Sequence, residues 1–165
     1  MTEASAPRIL VAGIGNVFRT DDGFGCDVAR RLAAEAWPDG VRVTDYGIRG
    51  LHLAYDLLDR WDVLVLVDAL PDRGNVGSVA VLDVGPDDVE QGRQVDAHGM
   101  DPATVLASLT ALGGSLPPRT LVVGCQVADT GDGMGVTPPV AAAVDQAVRT
   151  VRELVSHYLQ ATEVA

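Results

Sequence analysis

The apolar run Ile9-Leu10-Val11-Ala12 breaks at Gly13-Ile14-Gly15-Asn16, and Thr20-Asp21-Asp22-Gly23-Phe24-Gly25 then opens a helical pattern. A short buried strand, a tight glycine turn and a helix start fall within seventeen residues. This succession limits the chain to folds in which strands and helices alternate. It also sets paired acids at the C-terminal edge of the first strand, where α/β proteins bind their ligands. Carboxylates in that place point to a cation rather than to a phosphate.

The alternation continues. Arg8 to Ala12 reads as the first strand. Asp22 to Ala36 reads as the first helix, with Phe24, Val28 and Leu32 on one face and Pro38-Asp39-Gly40 as its stop. Val41 to Asp45 alternates as a second strand, and Leu51 to Leu58 forms a short helix. Val63 to Val67 is continuously apolar and ends in Asp68, the pattern of a strand covered on both faces. Ser78 to Asp83 follows after a segment too short for a parallel crossover, so it is expected to run antiparallel to its neighbour. Asp101-Pro102 opens a helix through Leu112, Thr120 to Cys125 is the fifth strand, and Thr137-Pro138-Pro139 opens the last helix. Val140, Val144, Val148, Val151 and Val155 form the core stripe of that helix. The predicted fold is an α/β three-layer sandwich. Its five-stranded mixed sheet is mostly parallel with one antiparallel strand, and helices cover both faces.

A chain of 165 residues is expected to be one domain, with 1–7 as a loose tail and 8–165 as the folded unit. Hydrophobic residues make up 47% and charged residues 21%, a globular balance. No apolar run approaches the roughly 20 residues that span a bilayer. Met1 to Pro7 has neither the basic nor the apolar region of a signal peptide, so a cytoplasmic protein is expected. The net charge of −11 opposes binding to nucleic acid or to an anionic membrane. Cys26 and Cys125 make no Cys-x-x-Cys pair and read as small buried hydrophobes.

Gly13-x-Gly15 after a strand is reminiscent of the dinucleotide fingerprint, and Asp45 ends the second strand where a ribose-binding acid would stand. The third glycine position, however, holds Phe18. Asp21 and Asp22 also occupy the helix end that a pyrophosphate needs. Metal binding is therefore favoured over nucleotide binding. The plainer reading of the acids is helix stabilisation, worth roughly 0.3–1 kcal/mol through the macrodipole, with Thr20 as N-cap. It suffices for at least one of them. Gly23 and Gly25 each cost about 1 kcal/mol relative to Ala in a helix, which implies close approach of another backbone or a ligand.

Asp68 ends an otherwise apolar strand. If that strand neighbours the first, Asp22 and Asp68 come within reach of one ion. His98 precedes the Asp101 helix and is expected to return to the same sheet edge. His52 and His157 lack such a setting. Two carboxylates and an imidazole suit a divalent transition metal, and three protein ligands leave positions open for water or substrate.

At these residues the chain resembles the NiFe-hydrogenase maturation endopeptidases over most of its length. Gly13-Ile14-Gly15-Asn16 with Thr20-Asp21-Asp22-Gly23-Phe24-Gly25 is similar to the opening motif of that family. Val65 to Ala69 with Asp68 resembles its second acidic site, His98 its histidine site, and Gly135-Val136-Thr137-Pro138 its Gly-Leu-Thr-Pro. The resemblance implies a protease that removes the C-terminal extension of the hydrogenase large-subunit precursor after nickel insertion. The nickel is carried by the substrate, and other divalent ions can substitute for it. Asp22, Asp68 and His98 would sense it, with Asp22 and Asp68 catalytic. The partner implied is the nickel-loaded precursor, met by a monomer. Asp22 stands where the family also uses Glu, and Tyr46-Gly47-Ile48-Arg49-Gly50 replaces its Gly-Gly-Thr loop.

Two mechanisms fit: metal-activated water, or an Asp as general base. An Asp22/Asp68 dyad of aspartic-protease type predicts an acid-shifted pH optimum. The chain lacks Gly-x-Ser-x-Gly and His-Glu-x-x-His motifs. A non-catalytic nickel-binding chaperone using the same ligands is the alternative from a different class.

Overall fold

The computed structural model describes residues 5–85 and 102–161. The elements in order are β1 (Ile9–Ile14), a 3-10 turn (Thr20–Gly23), α1 (Phe24–Ala33), β2 (Val41–Gly47), α2 (Gly50–Asp56), β3 (Val63–Leu70), β4 (Val79–Asp83), α3 (Pro102–Ala111), β5 (Arg119–Gln126) and α4 (Pro138–Ala161). The strands form a five-stranded sheet in the order β2-β1-β3-β5-β4. β1 pairs in parallel with β2 and β3, and β3 with β5; β4 runs antiparallel to β5. The mixed three-layer sandwich expected from the alternation of signals is the fold observed.

The continuous apolar run of β3 is explained by cover on both sides. Val63, Val65 and Val67 face the layer of α1 and α4, together with Ile9, Val11, Phe24, Val28 and Leu32. Leu64 and Leu66 face the layer of α2 and α3, with Leu10, Ala12, Ile14, Leu53 and Leu109. Alternation of side chains along a strand thus divides one run between two cores. The valine stripe of α4 is buried as its spacing predicts. Each fully buried Val contributes roughly 1.5–3 kcal/mol.

The layering follows from the order of the strands. From β1 the chain steps through α1 to β2 at one edge, then crosses back through α2 to β3. Right-handed crossovers in opposite directions put α1 and α2 on opposite faces. The C-terminal ends of β1 and β3 are therefore the switch point, the place at which open α/β sheets hold ligands.

Local boundaries differ from expectation in one instructive place. The helix expected over Asp22 to Ala36 is a 3-10 turn followed by α1, which ends at Ala33. Thr20 is not its N-cap: it lies inside the 3-10 turn at φ 51°, and Arg19 and Gly23 take the cap positions without side-chain caps. Contacts with a distant loop, described below, shape this turn. The antiparallel strand also pairs with β5 rather than with the strand before it in sequence.

Candidate active site

Asp22 and Asp68 are brought to one edge. Asp22 sits in the 3-10 turn that leaves β1, and Asp68 lies near the C-terminal end of β3. The strands are direct neighbours, with Gly13 opposite Val67. The start of α1 is pressed against both: a Cβ on Gly25 would run into the carbonyl oxygens of Val67 and Ile14. That close backbone approach is the reason for glycine in the first turn. It is the explanation the residue spacing anticipated, with backbone as the neighbour.

Backbone amides orient both carboxylates. The Asn16 N–H donates to Asp22 Oδ2 at 3.1 Å and also to the Asp22 carbonyl at 3.1 Å. The turn closes on Gly15 at φ 147°, where a Cβ would overlap the same Asp22 carbonyl. Asp68 is 7% exposed, and its Oδ1 accepts the Ala69 N–H at 2.8 Å. His98, the third expected ligand, lies outside the described residues, as does Asp101. Among the described residues no three His, Cys, Asp or Glu side chains cluster tightly enough to hold an ion.

The groups that a nucleotide reading needs are engaged elsewhere. Asp45 Oδ2 pairs with Arg30 Nε at 3.1 Å, and Asp45 Oδ1 accepts the Gly47 N–H at 3.0 Å. The cysteines are buried free thiols. Burial, then the hydrogen bond with Asp45, pushes the Cys26 thiol far above its usual range. Burial, then the nearby charge of Asp21, pushes Cys125 up to about 11. A nucleophilic cysteine needs the opposite shift.

Sequence reasoning missed a second loop at this edge. Residues 128–137, between β5 and α4, are zipped to the segment that carries the acids. The Thr20 N–H donates to the Gly133 carbonyl at 2.9 Å, the Gly133 N–H to the Phe18 carbonyl at 2.9 Å, and the Asp21 N–H to the Asp129 carbonyl at 2.9 Å. Arg19 Nε reaches the Thr130 carbonyl at 3.0 Å, and the Thr20 hydroxyl the Gly131 carbonyl at 2.8 Å. Asp21, wholly buried, accepts from Thr137 N–H at 2.6 Å and from the Thr137 hydroxyl at 2.9 Å. Asp21 thus has a structural partner, which stands at the head of α4 rather than in its own helix. The Gly135-Val136-Thr137-Pro138 segment was the available signal. Phe18, Met134 and Ile48, large apolar side chains, are exposed on the loops around this edge.

Comparison with known proteins agrees with the geometry. The family model HycI, hydrogenase maturation protease, matches residues 26–154. The chain is 33% identical over 162 residues to the hydrogenase expression/formation protein HupD of Rhodobacter capsulatus, covering 94% of this chain and 75% of that protein. It is 30% identical over 146 residues to the hydrogenase 2 maturation protease of Escherichia coli K12, covering 87% and 88%. Among solved structures, the hydrogenase maturating endopeptidase HybD from E. coli superposes with a TM-score of 0.77 at 27% identity, covering 91% of this chain and 93% of that one.

Proposed function

The chain belongs to the hydrogenase maturation protease family, and on that premise we propose that it is an endopeptidase which removes the C-terminal extension of the NiFe-hydrogenase large-subunit precursor once nickel has been inserted. The observation that carries this reading is the placement of Asp22 and Asp68 at the C-terminal ends of the neighbouring strands β1 and β3. Carboxylates there suit a divalent ion, which arrives as part of the substrate. Asp22, Asp68 and His98 complete the coordination of the precursor's nickel and so report that it is loaded. Bound there, the ion would supply Lewis acidity to the scissile carbonyl or to an attacking water. Asp22 and Asp68, oriented by the Asn16 and Ala69 amides, hold the reacting group in place, and one of them takes a proton from the attacking water and passes it to the leaving amine nitrogen.

Several features support a folded protein as substrate. Phe18, Ile48 and Met134 are exposed on the loops at this edge and offer apolar side chains for a protein substrate to pack on. The loop Tyr46 to Gly50, which differs from the family's Gly-Gly-Thr, touches this edge through the Gly15 N–H to Gly47 carbonyl bond of 3.0 Å. It tunes which precursor is accepted. The enzyme acts as a cytoplasmic monomer. No helix among the described residues is long and apolar enough to cross a membrane.

Purified protein mixed with nickel-loaded precursor provides the test. Intact mass should show the large subunit shortened at its C-terminus, and metal-free precursor should remain whole. A full-length precursor whose nickel has moved to this chain would instead establish a nickel chaperone.

A further inference from the structure

The roles of Asp22 and Asp68 leave Asp21 unexplained. Burying a carboxylate is costly unless its hydrogen bonds are made, and an apolar pair in the same place is often as stable. Here the bonds are made across 116 residues of chain, to the backbone and hydroxyl of Thr137. A further contact comes from the Asp129 N–H at 3.4 Å. Thr137 caps α4, since its carbonyl accepts the Ala141 N–H at 2.8 Å. Pro139 removes the second-position N–H that a capping oxygen could accept from, and leaves that of Val140 at the third position. The Thr137 hydroxyl donates its proton to Asp21, and the positive end of α4 favours the negative charge.

The turn gripped in this way is strained. Thr20 holds φ 51°, a left-handed conformation unusual for a β-branched residue. Such strain, of order 1–3 kcal/mol, persists only where surrounding contacts over-determine it. What depends on the turn's shape is the next residue, Asp22, whose carbonyl and carboxylate both close on Asn16.

We propose that Asp21 is a positioning residue for precursor cleavage: gripped by Thr137 at the head of α4, it locks the 3-10 turn and so sets where Asp22 stands relative to Asp68. The inference rests on the protease reading above. The two distant segments, zipped together by backbone bonds, then share one buried carboxylate, and cleavage depends on that contact although it touches no substrate.

Three variants test it: Thr137→Val, which keeps the shape and removes the hydroxyl; Thr137→Ser, which keeps the hydroxyl; and Asp21→Asn. Each is assayed for kcat and KM on nickel-loaded precursor and for thermal unfolding. Thr137→Val should lose about tenfold or more in kcat/KM, carried mainly by kcat, and Thr137→Ser should recover most of it. Asp21→Asn should lose at least as much. A purely structural role would lower the unfolding temperature and leave kcat per folded molecule unchanged in Thr137→Val, and that result overturns the proposal. If Asp21→Asn does not fold, the Thr137 pair decides alone. Parent protein that leaves the precursor whole defeats the protease reading, and this inference with it. Parent and Thr137→Val cutting equally fast defeats only this inference.

Discussion

Asp68 and Asp22 each keep one oxygen on a backbone amide, so their amide variants preserve shape while giving up charge. Asp68→Asn and Asp22→Asn should each slow processing by about 100-fold or more. Their unfolding temperatures should stay near that of the parent. Intact mass of the large subunit and a thermal melt check both halves, and brisk cleavage by either variant removes that residue from the site. The cysteines make the reverse case. Cys125 keeps its proton up to about 11 in the fold against 9.0 for a free thiol, through burial first and the Asp21 charge second. Cys26 is shifted in the same direction. Native protein near neutral pH should resist alkylation by iodoacetamide and process precursor undiminished; inactivation by the reagent would reinstate a thiol nucleophile. Because the folded pKa lies above the unfolded one, the stabilisation is complete below pH 9.0 and is lost as pH rises toward about 11. The denaturant midpoint should fall across that window. Both acids of the candidate site were legible as candidates in the chain, since one closes an apolar run and the other stands in the glycine-rich segment after the first strand. The partner of Asp21 was not, because Thr137 lies far away in sequence and meets it only after folding.

At the scale of elements, the contact between α1 and the central strands is a tight joint beside the site. Gly25→Ala would set a methyl group against the Val67 and Ile14 carbonyls, which are sheet backbone and cannot rotate away. It should cost more than about 3 kcal/mol, or prevent folding altogether, as judged by urea titration. A variant as stable as the parent would mean that α1 does not lie so close. The strands were legible to within two residues because an apolar run between turn residues marks its own ends. The head of α1 was less so. Helical periodicity marks the buried face of Phe24, Val28 and Leu32, whereas the 3-10 geometry before it answers to hydrogen bonds from the loop before α4. Propensity near Asp22 favoured a plain helix start, and the tertiary contacts outweighed it.

For the whole molecule, the strand order makes a ranking of local stability. β1 and β3 lie inside the sheet with helices on both faces, while β4 is an edge strand with most of its residues exposed. Amide exchange followed by mass spectrometry should find β1 and β3 slowest and β4 among the fastest. An early-exchanging β3 would contradict the order. What the chain determined by itself is local in origin. Alternating strand and helix patterns required layers, an all-apolar run required cover on both faces, and a short link required a reversed strand. These are properties of neighbouring residues, expressed through side-chain period and chain reach. The tertiary structure alone decided that β5 would come between β3 and β4, that the loop before α4 would be zipped to the turn after β1, and that Asp21 would become a buried contact between them. Those outcomes join segments far apart along the backbone. They are selected by collective packing and by the need to satisfy every buried polar group, and no short stretch of sequence carries either.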